Sequence, residues 1–407
     1  MPRFEAFAGI RYDTARVDLA DVTAPPYDVI DADDRAALAR RHPNNVVRID
    51  CPTPDDCGQS GPGGQYLEAA SRLRRWLGDG VLVRDPVPSL YLYRMGFTDD
   101  HGRRRHTTGV LGAVGLEPPG EGDVLPHERT TRKDRSDRLE LLRVTRANLS
   151  PIWFLSLARG LTKLLDPPGD PLASWTDDSG VDHSLWRLSE PAAIDAIRAA
   201  VAAAPLVIAD GHHRYETSIA YRDARRAADD NGEGATDDLA DLTLGFVVEL
   251  VADELDVEPI HRLVAGLPDG TDLLGTLASG FRVGPVEATD ESILDRMDAT
   301  GAMALVLADG VRLLRPSAEL AIRAGDLDTA MVDLALAAVP PHEVTFQPGL
   351  ASAVDAVACG RAQAAFLVRP PAIDQIADVA HRRQRMPPKT TYFWPKPRTG
   401  LVFRSLG

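Results

Sequence analysis

Pro205 to Asp223 reads PLVIADGHHRYETSIAYRD, and the change of pattern inside it sets the fold class. Leu206 to Ala209 is a short apolar run of the kind that forms a buried strand. Asp210-Gly211 breaks it, and from His212 to about Ala227 the spacing predicts an amphipathic helix. A buried strand turning through glycine into a helix is an α/β element, so the expected class is mixed α/β (α+β). The same junction has chemical content. The first turn of a helix leaves backbone N–H groups without intrahelical partners, and its dipole favours an anion there. His212, His213 and Arg214 add donors at that place, and arginine binds phosphate bidentately. The plainer reading is an ordinary helix start, with Asp210 as cap and Arg214 in a surface ion pair. A zinc site is the weakest reading, because adjacent helical residues point about 100° apart and no His-x-x-x-His partner exists.

Outward from this segment, strands and helices alternate. Leu90 to Phe97 and the returning Gly109 to Leu116 read as paired strands, with His101-Gly102 in the turn after the first. Met303 to Leu314 reads as a hairpin folded at Asp309-Gly310, and Ala365 to Val368 as a short buried strand. Asp137 to Arg146 reads as a helix with Ser136 as N-cap, Asn148 in the left-handed cap conformation and Pro151 as the stop. Pro52 to Gln65, Pro118 to Asp123 and Asp229 to Asp241 read as exposed loops.

A second charged signature runs from Val124 to Ile152, VLPHERTTRKDRSDRLELLRVTRANLSPI. His127 and Glu128 precede Arg129, Thr130, Thr131, Arg132, Lys133, Arg135 and Arg138, a local positive excess that can hold phosphates. Glu128 is placed to act as base or magnesium ligand. A solvated loop with internal ion pairs is the alternative. Ala24 to Ile30, APPYDVI, presents Tyr27 and Asp28 on a rigid turn. Near the end, Lys389, Lys396 and Arg398 sit among Tyr392, Phe393 and Trp394. That mixture suits either base binding or a packed C-terminal strand, and packing is the favoured reading.

Composition narrows the class. The 407 residues call for two or three domains. A formal net charge of −15 argues against broad binding to nucleic acid. No apolar run approaches the roughly 18 to 20 residues a membrane helix needs, and the start, Met1-Pro2-Arg3-Phe4-Glu5, lacks a signal-peptide core, so a cytoplasmic protein is expected. Cys51, Cys57 and Cys359 build no disulfide framework. No G-x-x-x-x-G-K-[ST] sequence is present, which sets ordinary P-loop enzymes aside.

APPYDVI, PHERT with DRLELLR and ANLSPI, ADGHHRYET, and MPPKTTYFWPKPRTGLVFRSL resemble, in order, the signatures of the domain of unknown function 1015 family, from about residue 4 to 407. Trp394 stands where a second tyrosine is usual. More remotely, a glutamate motif followed at a distance by Asp-Gly-x-His-Arg is similar to ParB-like proteins, a superfamily with CTP-binding partition proteins and free-serine kinases. That likeness implies a ParB-like nucleotide-binding core over residues 1–270 and a further C-terminal α/β region over 271–407 that packs back on it. It implies ATP, ADP or another nucleotide with Mg²⁺, and transfer of a phosphoryl group to a small hydroxylated metabolite, free L-serine first. Carried over, Glu128 with His127 is catalytic. Asp210, Gly211, His212, His213 and Arg214, with Thr130, Lys133 and Arg138, hold phosphate. Tyr27, Asp28 and Asn148 face the acceptor. A nucleotide-binding regulatory module without turnover and a phosphate-ester hydrolase are the alternatives.

Overall fold

Leu206, Val207, Ile208 and Ala209 are all buried in the strand Leu206–Asp210, a run that needs neighbours on both edges and cover on both faces. In the computed structural model, which describes residues 1–57, 63–99, 102–118, 120–126, 135–228, 239–287 and 292–407, it has them. The strand Val124–Pro126 runs parallel to it on one side and Ile152–Ser156 antiparallel on the other. The sheet continues through Leu242–Glu249, Arg104–Gly115, Leu90–Thr98, Asp182–Leu188 and Ala173–Thr176, and Phe4–Glu5 pairs with Arg104–Gly115 to make nine described strands. Leu206, Ile208, Phe154, Val110 and Leu90 share one apolar core with Ile197 and Val201 of the helix Pro191–Ala202 and Tyr215 of the helix His212–Ala228. The class is mixed α/β, as expected.

A second sheet of seven described strands is antiparallel throughout. Asp256–Ala265 is its long strand: its first four residues pair with Thr391–Trp394, and its second half pairs with both Glu343–Pro348 and Ala364–Leu367. Its two core clusters centre on Phe366 and on Ala365 with Val306. The chain accordingly forms two compact units, Met1–Leu255 with Pro395–Gly407, and Asp256–Trp394. These differ from the 1–270 and 271–407 division drawn from sequence. The Asp256–Ala265 strand hydrogen-bonds into the second sheet, whereas Arg404–Ser405 pairs with Ala147–Asn148 in the first unit.

Two local expectations need correction. The hairpin Met303–Leu307 to Gly310–Pro316 pairs Leu307 with Gly310, so Ala308-Asp309 is the turn and Gly310, at φ +133°, opens the returning strand. The helix Arg135–Thr145 ends with Arg146, not Asn148, in the left-handed region, at φ +46°. Asn148 is drawn into the strand pair with Arg404, which a left-handed residue could not make. Of the C-terminal aromatics, Phe393 and Phe403 are fully buried, whereas Tyr392 and Trp394 are half-buried. Among the described residues, no helix is long and apolar enough to cross a membrane.

Candidate functional site

The helix that opens at His212 buries a polar face. Arg214, Thr217, Ser218 and Tyr221, spaced three or four apart, are all buried on it. This face packs against the helix Arg135–Thr145, and both helices line one cleft. Its polar lining is Tyr27, Asp50, Arg138, Asn148, Ser150, Arg214, Thr217, Ser218 and Thr243; Leu141, Leu142, Leu149 and Ile152 are among the apolar residues.

Arg214 owes its position to the turn before it. The strand register shifts between Ile208 and Asp210, a bulge that re-aims Asp210. Gly211 follows at φ +93°, and its carbonyl accepts the Tyr215 N–H at 2.9 Å. A Cβ on Gly211 would lie 2.9 Å from Arg214 Nε, so only glycine lets the guanidinium tuck under the turn. There Arg214 donates to the Pro151 carbonyl and the Asp210 carboxylate. Its Nε has no hydrogen-bond partner among the described residues. Asp210 also accepts from Lys396 Nζ at 2.6 Å. Burial works to raise the Asp210 carboxyl, but Lys396 and Arg214 outweigh it and hold it well below the usual carboxylate range.

The second guanidinium comes from the other helix. Arg138 lies 4.4 Å from the centre of the Tyr27 ring, and Arg214 lies 6.0 Å from the same ring, both within cation–π range. Arg138 donates from Nη1 to the Asp50 carbonyl at 2.6 Å, and from Nε and Nη2 to Asp137 Oδ2 at 3.0 and 2.9 Å. Burial pushes the Tyr27 hydroxyl up to about 12 despite the pull of Arg214 in the other direction.

The structure therefore gathers four expected residues, Tyr27, Arg138, Asn148 and Arg214, at one cleft. It gives Asn148 a second employment, because its Oδ1 accepts from the Leu244 N–H at 3.1 Å and Arg404 Nη1 at 3.3 Å. Asp210 and Gly211 stand behind the cleft as supports of Arg214. His212, His213 and the exposed Asp28 do not line it, although Asp28 acts on Arg214 and Tyr27 electrostatically. The plainer reading of the junction does not hold: the ion pair of Arg214 is with Asp210 and is largely buried, and Asp210 is the last residue of the strand. His127, Glu128, Arg129, Thr130, Thr131, Arg132 and Lys133 lie outside the described residues. Their flanks do not: Pro126 pairs with Ile208, and Arg138 lines the cleft with Arg214. Among the described residues, no group of three His, Cys, Asp or Glu side chains is placed to hold a metal ion.

Asp50, Thr217, Ser218 and Thr243 were missed in the sequence. For Thr217 and Ser218 the signal was present, since they lie three and four residues after Arg214 on a helix. Asp50 had no such signal, since nothing in the residues before it marks it for burial.

Fold and cleft together define a mixed α/β protein with a polar cleft framed by two largely buried guanidiniums. The chain belongs to the family described as protein of unknown function DUF1015, whose model matches residues 4–334. No curated protein matches the chain significantly in sequence. Solved structures that overlay on it include a conserved hypothetical protein from Pyrococcus furiosus, 14% identical, covering 69% of this chain and 90% of its own, with a TM-score of 0.37. A free serine kinase in complex with AMP is 14% identical over 69% of this chain and 89% of its own, with a TM-score of 0.36. SbnI with C-terminal truncation, from Staphylococcus aureus, is 11% identical over 72% of this chain and 85% of its own, with a TM-score of 0.36. Overlap this loose leaves the activity to be read from the residues.

Proposed function

We propose that the cleft binds the phosphates of a nucleotide and that the chain transfers a phosphoryl group to a small hydroxylated metabolite, with free L-serine as the first acceptor to test. One observation carries the reading: Arg138 and Arg214, from two different helices, meet at one Tyr27 ring on a shared cleft. Phosphoryl transfer asks a protein mainly for positioning and for positive charge around the transferring group. A preorganised guanidinium pair beside a helix N-terminus supplies both. In this reading ATP or ADP with Mg²⁺ is the nucleotide, Thr130 and Lys133 add phosphate contacts, and Glu128 with His127 handles the acceptor proton. Tyr27 and Asp28 stand on the acceptor side.

The test begins with thermal shifts of the full chain in ATP, ADP, CTP and GTP, with and without magnesium, since a ligand that binds only the native state raises its stability by mass action. One nucleotide should raise Tm, and Arg214→Ala should weaken its binding by on the order of 1.5–3 kcal/mol, the worth of a charged hydrogen bond. Mass spectrometry then follows O-phosphoserine and other phosphorylated alcohols. Binding without product across the alcohol panel makes the chain a regulatory nucleotide-binding module, and phosphate release without acceptor makes it a hydrolase. If no nucleotide shifts Tm, or Arg214→Ala binds as wild type does, the cleft is not a phosphate site.

A further inference from the structure

Asp50 is the last residue of the short helix Val47–Asp50 and lines the cleft with its side chain only 5% exposed. The carboxylates around the two guanidiniums are unequally served. Asp137 takes two donors from Arg138, and Asp210 takes one from Arg214 and one from Lys396. Asp50 is left with a 3.5 Å approach of Arg138 Nη1 to Oδ1, and its Oδ2 has no hydrogen-bond partner among the described residues. A buried ionised oxygen without a donor is costly, and a neutral donor offsets less of that cost than a cationic one. The cleft thus carries both signs: Arg214 and Lys396 together outnumber the Asp210 carboxylate they share, and under-served Asp50 is negative. A ligand that fits this field carries charges in the reverse sense.

We infer that Asp50 recognises a protonated amine, so that the cleft takes small molecules bearing both an ammonium and a phosphate group. This rests on the phosphate reading above and adds the chemical class of the second group. Thr217, whose buried Oγ1 is likewise without a partner among the described residues, offers a neighbouring hydrogen-bonding position to the same ligand.

The experiment compares two probes of equal size by calorimetry on the full chain near pH 7: O-phosphoethanolamine, and propyl phosphate, in which a methyl replaces the ammonium. Wild type should prefer the amine by about tenfold or more, the scale of one charge-assisted hydrogen bond. Asp50→Asn should bring the two within about twofold of each other while still binding propyl phosphate. Equal affinities in wild type overturn the role of Asp50 and leave the phosphate reading standing; this comparison needs no variant and survives any folding defect. A preference that persists in Asp50→Asn overturns the assignment to Asp50. If neither probe binds while a nucleotide still raises Tm, the amine inference is overturned and the phosphate reading stands.

Discussion

At Asp50 burial disfavours the charged form, the nearby Arg138 does not fully compensate, and the carboxyl is held above its usual range. The sign of the stability effect follows. A folded-state value above the unfolded one means the native protein binds the proton more tightly. That contribution is complete below the unfolded value, about pH 4, and is lost as pH rises through the folded value. Asp50→Asn cannot titrate, so the ligand-free variant should be at least as stable as wild type at pH 7, with the advantage shrinking toward pH 4. Urea titrations at a series of pH values measure it; a variant deficit that is larger at pH 7 than at pH 4 would contradict the raised value. A residue that strains the empty protein is one that a ligand can relieve. Its identity was out of reach in sequence because nothing in Asn45-Val46-Val47-Arg48-Ile49-Asp50 says which carboxylate the fold will bury. Arg214 was legible because Gly211 and a helix start stand beside it.

Among the elements, the junction of the strand Leu206–Asp210 with the helix His212–Ala228 was readable from the change of apolar spacing, and so were the strands flanking the Gly102 turn. What pairs with them was not. Periodicity is local, whereas the parallel neighbour Val124–Pro126 and the C-terminal segment bearing Lys396 are fixed by contacts across 82 and 186 residues, from Pro126 to Ile208 and from Asp210 to Lys396. That segment has an energetic part in the site. Lys396 and Asp210 are both nearly buried, with side chains 11% and 12% exposed, and removing Lys396 takes away one of the two cations on Asp210 and leaves Arg214 still bound to it. Lys396→Met, of similar length, should cost on the order of 1.5–3 kcal/mol at pH 7, the worth of one charged hydrogen bond. The depressed Asp210 value makes its stabilisation complete above about pH 4 and lost as pH falls through the folded value. The deficit of Lys396→Met should therefore narrow in acid below pH 4. A constant deficit would mean that Lys396 acts by packing alone.

For the whole molecule, the informative fact is where the chain passes from one unit to the other. It leaves the first unit after Leu255 and returns at Pro395. Within the second unit the first and last residues, Asp256 and Trp394, are direct partners in an antiparallel pair, which sets their Cα atoms about 4.5–5.5 Å apart. A segment whose ends lie side by side has the form of a domain inserted into a host chain, and a short linker can span the gap it leaves. Each unit also has apolar cores made wholly of its own residues: Phe154, Ile208 and Tyr215 in the first, Phe366, Met303 and Val264 in the second. Every residue lining the Arg138–Arg214 cleft belongs to the first unit. Replacing residues 256–394 by a short Gly-Ser linker should therefore leave a chain that unfolds in one cooperative thermal transition and binds propyl phosphate within about threefold of the full protein. The excised 256–394 segment should melt cooperatively by itself and bind no phosphate. Circular dichroism melts and calorimetry on the two pieces decide the matter. A linker-joined first unit that lacks a cooperative transition would show that the units fold only together. One that folds but no longer binds would mean that the second unit contributes to binding from outside the cleft.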